Sequence, residues 1–251
     1  MTVVAVVAEP PREGLVLPEL AETTPLSAAE AADLYAAAYK DVLRAVDASG
    51  GDLLVNYRSD VDLPDEHKGE QSAEDELRAL AREAVDDIDD VRFEVQVGTS
   101  RSARVGNTIT HLLESEEVKS AAAVPPTAPL MARTHVDGAA MKLRNNPVVL
   151  GPTLAGEVYF AGFTDTIDFQ GAYEPPAVET LATRATDAGH DVEYTELLPT
   201  VDTADGLTTL VTMLRSRVTA GRIVPEFTTK LIDDLGLRVE HEDGEPTLVR
   251  D

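Results

Sequence analysis

TVVAVVA at residues 2–8, SAAEAADLYAAAYKDVLRAVDA at 27–48 and DLLVNY at 52–57 stand in that order in the first part of the chain, and the order decides the fold. The two β-branched runs are apolar without strict alternation, as central strands covered on both faces require. The segment between them opens on a capping box, Ser27 with Glu30, and then carries Leu34, Tyr35, Ala38, Val42 and Ala45 at helical spacing. Strand, helix, strand predicts the start of a mainly parallel sheet with helices on its faces.

The alternation continues to the end of the chain. Further strands are expected at 91–97 (VRFEVQV), 120–124 (SAAAV), 147–151 (PVVLG), 157–162 (EVYFAG) and 191–197 (DVEYTEL). Ser72 and Asp75 open a helix in the manner of Ser27 and Glu30, followed by Leu77, Leu80, Ala81 and Val85. Other helices are expected at 103–117, 129–144, 175–188 with Gly189 as its cap, 204–219 and 225–234. Residues 58–71 (RSDVDLPDEHKGEQ) read as an exposed loop, and the tail from 236, with HEDGEPT at its centre, as a hairpin or a loose end. There is no internal repeat and no linker composition, so residues 1–251 read as one three-layer α/β/α domain on a mixed, mostly parallel sheet. Its core covers about 1–220, with a terminal helix and hairpin at 221–251.

Composition narrows the function classes. Among 251 residues, 46 are Asp or Glu and 21 Lys or Arg, a formal charge of -25, while the 43% apolar content is that of a folded protein. An acidic surface without Lys/Arg clusters repels nucleic-acid backbones and anionic membranes. Scarce lysine beside abundant Asp, Glu, Ala and Val is the composition of a protein from a salt-in halophile, where concentrated salt screens carboxylate repulsion. The absence of Cys excludes disulfides, thiolate catalysis and Cys-bound zinc. The opening TVVAVVAEPP is too short for a signal peptide and lacks its basic end, and no apolar run is long enough to span a bilayer. A cytoplasmic protein is the expectation.

Four stretches resemble the glycosyltransferase-A-like, nucleotide-diphospho-sugar-transferase-like proteins of bacteria and archaea. TPLSAAEAADLYAAAYKDVL (24–43) is similar to the family's first helix. VQVGTSRSARV (95–105) is similar to its Gln-x-Gly-x-x-Leu-Gly-x-Arg stretch and keeps Gln96, Gly98 and Arg104. VVLGPTLAGEVYFAGF (148–163) resembles a strand pair containing Asp-Gly-Gly, and VDTADGLTTL (201–210) an Asp-x-Asp-Thr-x-x-Asp-Leu ending, retaining Asp202, Thr203 and Asp205. The resemblance implies a glycosyltransferase-A type fold, a nucleotide or nucleotide-sugar ligand, and Mg²⁺ or Mn²⁺ held by carboxylates.

The departures from that pattern fall on chemistry. The loop after the first strand, AEPPREGLVLPEL (8–20), carries Glu9 where the resemblance implies Lys, and its one cation is Arg12, followed by Gly14. In AVPPTAPL (123–130) Thr127 stands where the resemblance implies the metal-binding Asp. In GPTLAGEVYFAG (151–162), Ala155-Gly156-Glu157 replaces Asp-Gly-Gly, and alternation turns Glu157 to the opposite strand face. Phosphate transfer needs hard oxygen ligands around a divalent ion, or clustered cations, to stabilise developing charge. Loss of such a ligand without replacement costs on the order of a thousandfold in rate.

The candidate ligand contacts are therefore Arg12, Gly14, Gly98, Arg104, Thr127, Gly151, Gly156 and Glu157, with no residue named as catalytic or metal-binding. Each has a plainer role beside it: turns and close packing for Gly151, Gly156 and Gly162, a solvated helix start for Arg101 and Arg104. Arg12 is the leading anion contact, because ligands of open α/β sheets collect beyond the carboxyl ends of strands. The five histidines lack metal-ligand spacing, and Asp86-Asp87-Ile88-Asp89-Asp90 lacks the Gly and Glu of a calcium loop. There is no Gly-x-Ser-x-Gly elbow, P-loop or Gly-x-Gly-x-x-Gly fingerprint. Three functions follow. The first is a transferase-like protein without metal-dependent catalysis, acting in binding or regulation and needing no cofactor; the second is an active transferase with a rearranged site that uses Mg²⁺ or Mn²⁺; the third is a structural homo-oligomer.

Overall fold

In the computed structural model, which describes residues 1–242 and 244–250, the three opening segments become β1 (Thr2–Ala8), α2 (Ala28–Asp47) and β2 (Asp52–Tyr57), with a short α1 (Pro18–Thr23) between β1 and α2. The chain continues through α3 (Ala73–Ala81), β3 (Arg92–Val95), α4 (Arg101–Thr110), β4 (Ser120–Val124), α5 (Arg133–Lys142), β5 (Val148–Pro152) and β6 (Val158–Phe163). It ends with α6 (Ala177–Asp187), β7 (Val192–Tyr194), α7 (Ala204–Thr219), α8 (Glu226–Asp234), β8 (Leu237–Glu242) and β9 (Glu245–Arg250).

Seven strands form one sheet in the order β3-β2-β1-β4-β6-β5-β7. β1 pairs in parallel with β2 and β4, β2 with β3, and β5 with β7, whereas β6 runs antiparallel to β4 and β5. The fold is a mixed, mostly parallel α/β sheet with helices on both faces, as the sequence predicts. Along β1 the pleat divides the side chains: Val4, Val6 and Ala8 pack with Tyr39, Val42 and Leu43 of α2, Leu77 of α3 and Val136 of α5. Val3 and Ala5 face the other layer, with Val105 and Ile109 of α4 and Leu181 of α6. A third apolar cluster joins α1, α2, α7, α8 and the β8–β9 hairpin through Leu20, Leu34, Leu210, Ile232, Leu237 and Leu248.

The differences from the expected boundaries have local causes. Ser27 accepts from the Glu30 amide at 3.2 Å while Glu30 accepts from the Ser27 amide at 2.9 Å, closing the capping box. Ser72 caps Asp75 at 3.1 Å, but the Asp side chain is a methylene shorter than Glu and accepts the Ser72 hydroxyl at 2.8 Å instead. α1 lies in a stretch that reads as loop; Pro18 opens it, after Leu17 in the left-handed region at φ 47°. β3 stops at Val95, and the buried Gln96 turns its amide inward, donating to the carbonyls of Ala8 at 3.1 Å and Asn56 at 2.8 Å. Gln96 thereby ties together the ends of β1 and β2. The tail forms the β8–β9 hairpin; Asp243, within HEDGEPT, lies outside the described residues. Among the described residues no helix is long and apolar enough to cross a membrane.

One glycine holds the segment leading into α7. A Cβ on Gly206 would lie 2.2 Å from the Thr200 carbonyl oxygen, a backbone atom with no room to move. The Gly206 amide donates to the capping Thr203 hydroxyl at 3.1 Å, and the Val201 amide donates to the Thr127 carbonyl at 2.8 Å, so the 200–203 turn is clamped between α7 and the end of β4. Gly206→Ala is expected to lower stability by about 3 kcal/mol, at the upper end of overpacking costs, seen as a fall in the thermal midpoint. An unchanged midpoint would mean that the clamp yields.

Candidate functional site

The chain runs from β1 to β2 and β3 on one side of the sheet, then returns to place β4 on the other side of β1. The strand order therefore reverses between β1 and β4, and the carboxyl ends of such neighbours diverge to leave a crevice. A pocket of about 150 Å³ lies there. Its floor is Val7 of β1, Ala123 and Val124 of β4, and the Pro125-Pro126-Thr127 turn; Val105 and Val158 add apolar wall. Polar groups enter from four directions: Glu9 after β1, Arg101 and Arg104 on the first turn of α4, Tyr35 and Tyr173 from the sides, and Asp202 from the turn before α7.

Local geometry explains each placement. Ser100 caps α4 by accepting from the Ala103 amide at 3.1 Å, and Gly98, at φ 137°, allows the loop to pass that first turn where a Cβ would sit 2.9 Å from Ala103 and Arg104. The helix start thus brings two guanidinium groups to the crevice. The Tyr35 hydroxyl accepts from the Glu9 amide at 2.8 Å, fixing the chain as it leaves β1. The Thr127 hydroxyl donates to Asp202 Oδ2 at 2.9 Å.

Electrostatics set this pocket apart. Glu9 Oε2 lies 3.4 Å from Arg58 Nη1 and its Oε1 3.5 Å from Arg104 Nη2, while Glu157 Oε2 lies 3.8 Å from Arg101 Nη1. Elsewhere Arg12, Arg44, Arg78, Arg133, Arg184 and Arg250 hold carboxylates at 2.6 to 3.1 Å. The pocket arginines Arg101 and Arg104 are near carboxylates without closing on them, Arg58 donates to Glu9 from outside the pocket lining, and Arg104 Nε is buried with no partner. Burial pulls the Arg104 guanidinium below its ordinary pKa, against the attraction of Glu9. Asp202 opens onto the pocket but is ringed by protein; this desolvation raises its carboxyl above the usual range, opposed by hydrogen bonds from Thr200 and Thr127. Burial also raises Glu157, whose Oε1 is partnerless, and Asp202 adds to the shift while Arg101 opposes it. The Tyr173 ring lies 5.4 Å beneath the Arg101 guanidinium, and its buried hydroxyl has no partner.

The residues expected from the sequence are divided by the structure. Arg104 and Thr127 line the pocket. Glu157 lies just before β6, outside the strand, so alternation does not govern it; instead of facing away it approaches the pocket arginine Arg101. Arg12 is corrected outright. Its Nε and Nη2 hold Glu76 at 3.1 Å, Nη1 donates to Asp60 and to the His67 carbonyl at 2.7 Å, and Nη2 also reaches the Gln71 carbonyl at 3.0 Å. With its donors taken by protein acceptors, Arg12 braces the 59–71 loop. Gly14 is in a turn away from the pocket, Gly151 packs so closely on Tyr159 that a Cβ would sit 2.7 Å from the ring, and Gly156 turns beside Pro176. Asp202 and Arg101 stand in stretches the family resemblance marks, yet neither is among the candidates. Tyr35 reads as part of an apolar face; the signal was its hydroxyl, which needs a partner when buried. Arg58 and Tyr173 carry no sequence signal.

The donor set does not make an all-protein divalent site: among the described residues no group of three His, Asp or Glu side chains converges to hold an ion. Thr127 supplies a hydroxyl already given to Asp202, and the Glu9 and Glu157 carboxylates lie beside arginines.

No protein-family model and no curated protein matches this chain. Solved structures do. A candidate nucleotide-diphospho-sugar transferase from Desulfovibrio desulfuricans G20 superimposes with a TM-score of 0.74 at 17% identity, over 93% of this chain and 94% of that one. A cytidylyltransferase from Leptospira borgpetersenii serovar Hardjo-bovis gives 0.52 at 11% identity, over 93% of each chain. At these identities the likeness concerns the fold.

Proposed function

We propose, for a chain whose fold is that of the nucleotide-diphospho-sugar transferases, that the pocket between β1 and β4 binds the phosphate portion of a nucleotide or nucleotide sugar through arginine rather than through a metal held by carboxylates. The protein acts in this reading as a binding or regulatory protein. The observation that carries it is the set of three loose ion pairs, Arg58–Glu9, Arg104–Glu9 and Arg101–Glu157, at 3.4 to 3.8 Å around one pocket at the reversal of strand order. Arg104, with its Nε unspent, and Arg101 beside it at the helix start suit a phosphate, which accepts two bonds from one planar fork. The pocket, at about 150 Å³, has room for a phosphate group.

A second reading has its own support. Asp202 opens onto the pocket, and Mg²⁺ is commonly held by one or two carboxylates together with substrate phosphates. In that case an active transferase assembles its metal site only with the nucleotide bound.

A thermal-shift panel of nucleoside diphosphates, triphosphates and nucleotide sugars, in KCl with and without Mn²⁺, separates these. The arginine reading predicts that at least one compound raises the midpoint without Mn²⁺, as mass-action stabilisation by a bound ligand requires. Stabilisation that appears only with Mn²⁺ favours the second reading, and silence across the panel favours a protein that kept the scaffold alone.

A further inference from the structure

Glu9 is the only acidic side chain on the pocket that stands between two guanidinium groups among the described residues, with Arg58 at 3.4 Å and Arg104 at 3.5 Å. The Arg58 side chain is anchored apart from it, and the Arg104 main chain is fixed by its helix. Arg58 donates from Nε to the Asp62 carbonyl at 3.0 Å and from Nη2 to the same oxygen, and Arg104 lies on the first turn of α4. The Glu9 main chain is held by Tyr35, so its carboxylate is free to move while the backbone stays in place. Both contacts are longer than the 2.7 to 2.9 Å of well-formed charge-assisted bonds, and Arg104 Nε is unspent. A single carboxylate thus accepts one long hydrogen bond from Arg58 and stands near Arg104 without satisfying it.

Building on the arginine reading above, we propose that Glu9 is a tethered stand-in for the ligand's anion, displaced from Arg58 and Arg104 when a phosphate group enters. This makes Glu9 a determinant of specificity. A free monocarboxylate offers the arginines nothing that Glu9 does not already offer without loss of translational freedom. A phosphate or pyrophosphate carries more charge and more acceptor oxygens, and so displaces it. The pocket is selective for phosphate groups over carboxylates because its own carboxylate sets the threshold.

Calorimetric titration of inorganic pyrophosphate and of acetate tests this on the wild type, Glu9→Gln, Arg104→Ala and, as a control on an ion pair away from the pocket, Glu83→Gln. The wild type is expected to bind pyrophosphate and not acetate. Glu9→Gln is expected to bind pyrophosphate about tenfold more tightly, because a repelling charge a few ångströms from the ligand is gone, and to bind acetate measurably. Arg104→Ala loses pyrophosphate binding, and Glu83→Gln matches the wild type. Equal or weaker pyrophosphate binding by Glu9→Gln, with a wild-type thermal midpoint and binding still lost in Arg104→Ala, overturns the stand-in role and leaves the arginine reading intact. Failure of every variant to bind pyrophosphate overturns both.

Discussion

Replacing Arg12 by alanine is expected to destabilise the protein by about 3 kcal/mol, the lower end of the cost of breaking a buried ion pair, and to leave phosphate affinity at the pocket unchanged. Arg12 is 11% exposed, and Asp60 and Glu76 are 32% and 21% exposed, so the variant strands two carboxylates in partly dry surroundings. Asp60 also accepts from the Ala73 amide at 2.7 Å, which ties the start of α3 to the same network. For a chain of this length the loss corresponds to a midpoint lower by about 6 to 12 °C. The effect carries a pH signature. Burial raises the Asp60 pKa, but the Ala73 amide and Arg12 outweigh it and hold the carboxyl below its ordinary value. A depressed carboxyl contributes stability above its unfolded pKa and loses it as pH falls through the folded one. The gap between wild type and Arg12→Ala is therefore widest near neutrality and narrows in acid, as followed by thermal unfolding across pH. A variant of wild-type stability that has lost phosphate binding would return Arg12 to the ligand.

The second large effect is on binding. Arg101→Ala combined with Arg104→Ala is expected to weaken phosphate binding by about a hundredfold or more, since a charge-assisted hydrogen bond contributes about 1.5 to 3 kcal/mol and about 1.4 kcal/mol is a factor of ten. Stability is expected to fall by less than in Arg12→Ala, because the carboxylates left behind, Glu9 and Glu157, stand 3.5 and 3.8 Å from these arginines rather than at the 2.7 to 3.1 Å of the Arg12 network. Burial holds the Arg104 guanidinium below its ordinary pKa against the attraction of Glu9, and Arg101 is 45% exposed. Groups retained at a local cost and facing a cleft are the mark of a site rather than of a scaffold. Calorimetry for affinity and thermal unfolding for stability read the two effects separately. A double variant that unfolds easily and binds as before would make these arginines structural.

Arg12 and Arg104 show what the sequence conveys and what it does not. Both were legible as cations near strand or helix ends at the carboxyl side of the sheet. Arg12 stands directly after β1, where ligands collect, and was the better candidate on that ground. What removed it were Asp60 and Glu76, partners 48 and 64 residues away along the chain. No local pattern announces such pairs. The central strands were legible because nothing competes with them: β2 and β4 fall on the expected residues, and so does α7. The edges were less so, since β3 ends where Gln96 finds two carbonyls belonging to other strands. That Thr127 stands where the resemblance implies a carboxylate is legible in the sequence, but its contact is not, because only the fold brings Asp202 within 2.9 Å of that hydroxyl.

In the proposed reading, arginine takes the place of a metal in holding phosphate at the β1–β4 reversal. Titration of the wild-type protein with nucleoside diphosphates, first in EDTA and then in Mn²⁺, tests it most directly. The arginine reading predicts saturable one-site binding in EDTA that Mn²⁺ does not strengthen, since the ion chelates the diphosphate and masks part of the charge the arginines hold. Binding that is absent in EDTA and appears with Mn²⁺ would contradict it and favour a metal site assembled with the nucleotide.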